Sequence, residues 1–458
     1  MNQMNSGQRS ALTIAVLTSF LGTFLISGVN IALPAIEKEF NLNAVALSWI
    51  VISYLLASAV FLLPIGKFAD IIGQKKVFKG GILIFTLSTI LCGIAPNGTI
   101  LIIIRVIQGL GASMTATTGS PILVSIFPPV ERGKVLGINV AAVYFGLSTG
   151  PFIGGILTQH FGWRSIFYFC IPLAIAALLL VFFKLKTDAN AKSIAKIDFK
   201  GALYYSAGLV AIVYSSSNLN KSFGWPLLLT GILFLILFVR QCKKSDYPIF
   251  DVTLFTHNRL FAFSNIAALI NYSATFSLVF LMSLYLQKVQ GFSPQRAGMI
   301  LIAQPLMMAL ISPFAGKFSD RIEPRKLATA GMLISATGLF MLTFIHTQTP
   351  VYVIVAILVI MGTGFGLFSS PNMNTIMSSV ERRQLGIASG TSATIRVVGQ
   401  MISMMIATFI FSLFFSGTQL KEANNILFVT SIRFAFAISG MICLAGIYFS
   451  NSRGKLRQ

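Results

Sequence analysis

The chain has 458 residues, of which 55% are hydrophobic and only 10% are charged. Polar residues this scarce cannot cover the apolar ones in water, which excludes a soluble domain and indicates an integral membrane protein. A formal net charge of +22 is compatible with nucleic-acid binding. The basic residues are spread over short loops between apolar runs, however, so they fit membrane topology and we predict no nucleic-acid partner.

Fourteen apolar runs follow one another, each long enough to cross about 30 Å of hydrocarbon as an α-helix. The first is too long for the apolar core of a signal peptide, so we expect it to remain as a span. Most of the 34 basic residues lie on one side if the N-terminus is cytoplasmic, which predicts that both termini are cytoplasmic. The predicted spans are 11–33, 48–66, 79–95, 100–125, 134–158, 164–184, 199–217, 225–240, 259–281, 296–315, 327–346, 351–371, 386–415 and 427–449.

An internal repeat divides these spans. The sequence GKFADIIGQKK at 66–76 returns 250 residues later as GKFSDRIEPRK at 316–326, each time after the second span of a half. The repeat predicts an N-terminal six-helix bundle at 1–186 and a C-terminal six-helix bundle at 259–458. Two inserted transmembrane helices with flanking cytoplasmic loops occupy 187–258, and their composition indicates no role.

Two further motifs lie inside predicted spans. The run LIIIRVIQGLGAS at 101–113 places Arg105 within span 4, followed by Gln108. The run GLSTGPFIGG at 146–155 belongs to span 5, and its glycines recur every four residues, so they share one helix face and permit close helix packing. The residues of this second motif are Gly146, Gly150, Pro151, Gly154 and Gly155.

Together these motifs resemble the major facilitator superfamily, and within it the fourteen-span drug:proton antiporters, which include multidrug and tetracycline exporters. The resemblance covers nearly the whole chain and implies an all-α membrane protein with two six-helix bundles and two extra central helices. The run in span 5 resembles the signature of exporters. The repeated loop resembles the superfamily's gating loop, carried here by Gly66, Asp70, Gly73, Lys75, Lys76, Asp320 and Arg321.

The charged motif residues suggest specific roles. Asp70 and Asp320 end spans 2 and 10, where a carboxylate can pair with a helix N-terminus or a guanidinium and latch the bundles together. The alternative is a solvated turn that carries topogenic charges, with Gly66 and Gly73 supplying tight turns. An unpaired charge at mid-membrane costs at least a few kcal/mol, so Arg105 must face a cavity or polar partners. Arg396 in span 13 is expected to point into the cavity.

Polar and aromatic residues inside the spans are candidates for the substrate cavity, although helix packing is the alternative for each. Such a cavity, with few fixed charges, suits lipophilic substrates. The candidates are Asn30, Tyr54, Gln108, Met114, Tyr144, Asn271, Tyr272, Gln304 and Asn372, joined by Ser27, Phe276, Asn374 and Gln400.

The resemblance implies an exporter that moves small lipophilic compounds by alternating access in exchange for protons. All 12 acidic residues fall in loops or at helix ends, however, and Leu25 stands where most members have an acidic residue. The alternative is therefore a proton-independent facilitator or exchanger of an anionic or neutral metabolite, since the arginines would favour such substrates.

No enzyme is expected, because the sequence contains no catalytic nucleophile motif, metal cluster or phosphate-binding loop. The four cysteines occur singly, so no metal site or cofactor is predicted. The expected partners are the small-molecule substrate, protons and the lipid bilayer of the cell membrane, and we expect a monomer.

Overall fold

The computed structural model describes residues 4–128, 131–185, 197–319, 321–381, 384–415, 424–454 and 456. These residues form seventeen α-helices and one π-helical turn, Tyr285–Val289, which continues α11. The α-helices are α1 Ser6–Phe40, α2 Ala44–Ile72, α3 Gln74–Gly93, α4 Gly98–Ile126, α5 Arg132–Phe161, α6 Ser165–Lys184, α7 Phe199–Ser216, α8 Gly224–Lys244, α9 Val252–His257, α10 Arg259–Thr275, α11 Ser277–Leu284, α12 Pro294–Leu301, α13 Ala303–Ser319, α14 Pro324–Leu342, α15 Val351–Ser378, α16 Leu385–Phe415 and α17 Asn425–Ser452.

Each of the fourteen predicted spans coincides with one of these helices or with two consecutive ones. In the described part of the chain, twelve helical segments are long and apolar enough to cross a membrane. The two predicted spans outside that set are α7 and α14, which are short and carry charged or hydroxyl residues. Both nevertheless pack beside long apolar helices, α7 against α8 and α14 between α15 and α17.

The same packing pattern occurs twice, in a first bundle (α1–α6) and a second bundle (α10–α17). In the first, α1 packs on α5 and α6, and α3 packs on α4 and α6; in the second, α10 packs on α16 and α17, and α14 packs on α15 and α17. Glycines allow the equivalent crossings. A Cβ on Gly81 would lie 3.1 Å from the carbonyl oxygen of Gly111, and one on Gly331 would lie 2.6 Å from that of Gly364.

We use "terminal face" for the side at which α1 begins and α17 ends, and "distal face" for the other side. The bundles meet along two seams, α2 with α16 and α5 with α12 and α13. In the first seam Thr408 Oγ1 donates to Ser48 Oγ at 2.8 Å. These seams enclose the space between the bundles.

The inserted helices cover the α2/α16 seam. Tyr205 of α7 donates its hydroxyl to the carbonyl oxygen of Ala59 on α2 at 3.0 Å. At the distal end of α7, Trp49 Nε1 of α2 donates to Ser217 Oγ at 3.0 Å, and Ser412 Oγ of α16 donates to the Ser217 carbonyl oxygen at 3.4 Å. One of the two helices that composition left without a role, α7, therefore contacts both bundles, and α8 packs on α7.

Candidate functional site

A cavity of about 180 Å³ lies between the two bundles. Its walls come from the first bundle, including Thr18–Ile26 of α1 and Asn139–Leu147 of α5, and from α10, α15 and α16 of the second. The lining parts of α5 and α16 lie in the first halves of these helices, and that of α1 lies near its middle, so the cavity is displaced toward the terminal face. Apolar and aromatic side chains mix with many hydroxyls, as in sites for small organic molecules.

Six of the residues singled out by the sequence line this cavity, namely Tyr54, Tyr144, Tyr272, Asn372, Arg396 and Gln400. Two of them bridge the bundles: the hydroxyl of Tyr144 on α5 hydrogen-bonds to Ser369 Oγ on α15. Tyr272 joins the same hydroxyl pair and packs its ring against Phe365, with 5.7 Å between centroids. Aromatic rings and hydroxyl groups of the two bundles therefore contact each other at the wall of the cavity.

Five other cavity candidates lie outside the lining: Asn30, Gln108, Met114, Asn271 and Gln304. Each is held by packing within its bundle or at the distal face. Met114 fills the space beside the glycines of α3, and the Gln304 backbone abuts Gly362 of α15. Asn271 is fully buried among the helices of the second bundle. Ser27, Phe276 and Asn374 also lie outside the lining. A polar side chain inside a predicted span therefore did not show whether the residue lines the cavity or packs between helices.

Arg105 lies behind the cavity wall. Its side chain is 0% exposed, its Nε donates to the carbonyl oxygen of Ile50 at 3.1 Å, and one terminal nitrogen donates to Gln108 Oε1 at 2.6 Å. The guanidinium stacks on the Tyr54 ring at 4.4 Å from its centroid, and Tyr54 itself lines the cavity. Gln108 in turn donates to Thr89 Oγ1 at 2.8 Å. Arg105 thus positions a lining tyrosine instead of lining the cavity itself.

The glycine motif of α5 serves two different contacts. Gly146, Gly150 and Gly154 face α1, where a Cβ on Gly150 would lie 2.7 Å from Ser27 Cβ. Gly155 faces the second bundle, where a Cβ would lie 2.6 Å from the carbonyl oxygen of Pro294. A Cβ on Gly298 of α12 would overlap the carbonyl oxygen of Pro151. The last two contacts close the α5/α12 seam at the distal face.

Hydrogen bonds between α1 and α11 also close the distal face. Ser283 Oγ donates to the carbonyl oxygen of Asn30 at 2.8 Å, and Gln287 Nε2 donates to that of Ile31 at 3.0 Å. Gln287 lies on the π-helical turn, a feature that often marks functional positions. Asn30 therefore belongs to the contact between the bundles on the side away from the cavity.

A buried ion pair lies beside these bonds, and sequence reasoning missed it. Lys288 Nζ is 2.6 Å from Glu37 Oε2, with side-chain exposures of 18% and 7%. Glu37 occupies the last turn of α1, where an acidic residue just beyond an apolar run is usually solvated. Only the fold brings Lys288 of the other bundle against it.

We expect Glu37→Gln to weaken closure of the distal face, because it leaves Lys288 buried without its counterion, at a cost of about 3 kcal/mol. The exposure of a cysteine placed at Ser283, measured by labelling from the distal side, should rise. The charge exchange Glu37→Lys with Lys288→Glu should restore protection.

The matched control is Glu39→Gln. Glu39 pairs with Arg164 at 2.7 Å, but this more exposed pair joins α1 to the loop before α6 within one bundle. Labelling at Ser283 should not change in this variant. Equal labelling in both variants would contradict the role of the Glu37–Lys288 pair in closure.

The gating-loop residues lie at the terminal face. Asp70 is exposed in the last turn of α2, and its Oδ1 accepts one hydrogen bond, from Gln74 Nε2 at 2.9 Å.

The glycines of the gating loop differ in conformation. Gly73 has φ 109°, as expected for a tight turn, whereas Gly66 lies inside α2 because the helix extends past its predicted end. The prediction of a turn at Gly66 was therefore wrong. Lys75 and Lys76 begin α3, Arg321 follows α13, and Asp320 lies outside the described residues.

The bond to Gln74 is local, so among the described residues Asp70 makes no contact that connects the bundles in this conformation, whose cavity lies toward the same face. We expect Asp70→Asn to slow turnover severalfold while substrate affinity stays within about twofold, because a carboxylate forms stronger hydrogen bonds than an amide when that face closes. Turnover in proteoliposomes and equilibrium binding in detergent measure the two quantities. Asp246→Asn, in the exposed loop before α9, is the control. Equal turnover rates in the two variants would contradict the role of Asp70 in closing the terminal face.

Arg453 is a second residue that sequence reasoning missed. It is 1% exposed, and one terminal nitrogen donates to Asn372 Oδ1 at 2.6 Å while the other lies 3.4 Å from the Pro324 carbonyl oxygen. Burial lowers its pKa to about 10, so it stays protonated at neutral pH. Asn372 lines the cavity, and Arg453 therefore fixes its amide from behind. Nothing distinguishes Arg453 in the sequence from the other basic residues of the tail.

Comparisons with known proteins agree with this architecture. The family model "Major Facilitator Superfamily" matches residues 13–242 and 265–457. The riboflavin transporter RibZ of Clostridioides difficile (strain 630) is 31% identical over 440 residues, which cover 95% of each chain. The multidrug resistance protein Stp of Mycobacterium tuberculosis (strain CDC 1551 / Oshkosh) is 30% identical over 416 residues, which cover 88% of this chain and 77% of that one.

The fold is also that of solved transporters. A D-xylose-proton symporter superposes with a TM-score of 0.67 at 15% identity, covering 97% of both chains. The human organic anion transporter MFSD10 superposes with a TM-score of 0.63 at 14% identity. At these identities the likeness concerns the fold alone. The repeated helix packing, the cavity between the bundles and the family match together identify this chain as a multi-pass membrane transporter that belongs to the major facilitator superfamily.

Proposed function

We propose that this transporter exports small lipophilic aromatic compounds from the cell by alternating access, in exchange for protons. The observation that carries the proposal is the cavity that both bundles line with aromatic and apolar side chains. Large lipophilic ligands gain affinity from such walls through burial of apolar area. The direction of transport rests on the exporter-type motif of α5 and on relatives named for multidrug resistance.

Alternating access is supported by the distribution of contacts between the bundles. The distal face is closed by the α5/α12 glycine contacts, the α1/α11 hydrogen bonds and the Glu37–Lys288 pair. The cavity lies on the opposite side of these contacts. In the proposed cycle they break together as the bundles rock, and the terminal face closes in their place. The excess of basic residues on the terminal face supports a cytoplasmic location for that face.

The second candidate is a transporter of a neutral or anionic metabolite, with a flavin as the first compound to test. RibZ aligns over 95% of its own length, whereas the alignment covers 77% of Stp. The first-bundle wall is also rich in hydroxyls and amides, including Thr18, Ser19, Thr86 and Asn139. Such a wall suits the polyol side chain of riboflavin, while the aromatic residues suit its ring system.

The test is movement of ethidium and of riboflavin across proteoliposome membranes, with and without an imposed pH gradient. Gradient-driven movement of ethidium supports the proton-coupled exporter. Movement of riboflavin alone, indifferent to the gradient, supports the second candidate and overturns the first. Vesicles without the protein provide the inactive control, and both candidates fail only if these two compounds, and further aromatic compounds of either charge, move no faster than in that control.

A further inference from the structure

Three arginines lie among the helices of the bundles, and two of them donate hydrogen bonds to partners within the protein, although Arg105 Nη2 and Arg453 Nε have no partner among the described residues. Arg105 donates to Ile50 and Gln108 and stacks on Tyr54. Arg453 donates to the side chain of Asn372 and to backbone and hydroxyl oxygens around it. Both are almost completely buried, and their contacts explain how a cation is tolerated there.

Arg396, the third, differs from both. It lies about 16 Å along α16 from the start of that helix, and it lines the cavity in a half-buried position. In the described part of the chain, its guanidinium has no hydrogen bond, ion pair or ring contact, although it carries five N–H donors. Among the described lining residues it is also the only charged side chain, and no carboxylate is present to balance it.

We propose that Arg396 is an anion site and that the substrates of this cavity are aromatic organic anions, such as arylcarboxylates, arylsulfonates and deprotonated phenols. The inference rests on the proposed function, since it concerns the substrate of the same cavity. An anionic group pairs with the guanidinium in a partly desolvated setting, where such bonds are strong. A cationic substrate meets an uncompensated positive charge in the same place.

The surroundings of Arg396 match an anion attached to an aromatic body. Gln400 lies one helical turn toward the distal face and Ser392 one turn toward the terminal face, so both add hydrogen-bond donors beside the guanidinium. The rings of Tyr54 and Phe368 belong to the same lining and offer apolar surface for the rest of the ligand. The site thus joins a single fixed charge to an apolar and aromatic wall.

The experiment compares two dyes with the same xanthene frame, the anion fluorescein and the cation rhodamine 6G, in proteoliposomes. For the wild-type protein we expect the initial rate of fluorescein movement to exceed that of rhodamine 6G by more than about tenfold. In Arg396→Gln the ratio should fall close to one. In Arg396→Glu it should reverse. The matched control is Arg433→Gln, because Arg433 is an exposed arginine of α17 outside the cavity, and the wild-type ratio should be kept.

A wild-type ratio near one, or a ratio unchanged in Arg396→Gln, would overturn the anion site while transport of ethidium or riboflavin still supports the proposed function. If none of the four compounds moves, the proposed function itself fails. A measurement on the unaltered protein guards against misfolded variants. Fluorescein bound to purified protein should be displaced by 2-naphthoate and not by uncharged 2-naphthalenemethanol; equal displacement by both also overturns the anion site.

Discussion

Gly298→Ala is expected to open the distal face and to stop transport. The added methyl group would overlap the carbonyl oxygen of Pro151 across the α5/α12 seam. Because both contact atoms belong to helices, neither can move without displacing its helix. Overpacking of this kind typically costs about 1–3 kcal/mol. A cost of that size changes the ratio of distal-closed to distal-open protein by between about fivefold and about a hundredfold.

Labelling of a cysteine placed at Ser283, which is buried in the closed distal face, reports the expected opening. The four native cysteines are all buried and provide a low background. Gly137→Ala, on α5 where a Cβ meets nothing within 4 Å, is the matched control. It should keep wild-type labelling and transport, since alanine favours the helix by about 1 kcal/mol. Wild-type labelling in Gly298→Ala would show that the seam has room to adjust.

Arg105→Ala should reduce transport to the level of empty vesicles and lower the thermal stability of the protein. The substitution leaves Gln108 Oε1 without its donor and removes the cation beneath the Tyr54 ring. Hydrogen bonds to a buried charged group are worth about 1.5–3 kcal/mol each. The largest effect should fall on the cavity, because the ring of Tyr54 loses the group that fixes it.

Arg105→Lys separates charge from geometry. Lysine keeps the positive charge but cannot donate from a planar fork to Ile50 and Gln108 together, so we expect less than about a tenth of wild-type transport. Thermal unfolding in detergent should show folded protein for both variants. Transport near the wild-type level in Arg105→Lys would mean that charge alone is required. Transport near the wild-type level in Arg105→Ala would show that the cavity works without Arg105.

Sequence patterns predicted the helices because apolar runs of membrane length are a strong signal, whereas they did not predict which helices pack on one another. Apolar runs of membrane length give the spans, and the repeated loop gives the two halves. Span ends were less accurate, as α2 shows: it continues to Ile72, past the apolar run that ends near Gly66. Helices extend beyond the hydrocarbon, and hydropathy carries no information there.

The candidate site was less accessible to sequence reasoning, since burial and partners depend on which helices meet. Arg105 and Arg396 look alike as arginines within apolar spans. Arg105 is bonded to Ile50 and Gln108 behind the cavity wall, and Arg396 lines the cavity without a partner in the described residues. Glu37 was only counted among the acidic residues at helix ends. Its ion pair with Lys288, which lies 251 positions along the chain, depends on the fold and could not be predicted from the sequence.

The inserted helix pair makes the two flanks of the transporter unequal. On one flank α7 lies along the α2/α16 seam and is bonded to α2, and its C-terminal end is bonded to α16, while α8 packs on α7. On the other flank α5, α12 and α13 meet with no such covering among the described residues. Among the described residues, only the α5/α12 seam is therefore left without an inserted helix beside it. If the bundles move as proposed, this seam is the one that acyl chains of the bilayer can reach directly.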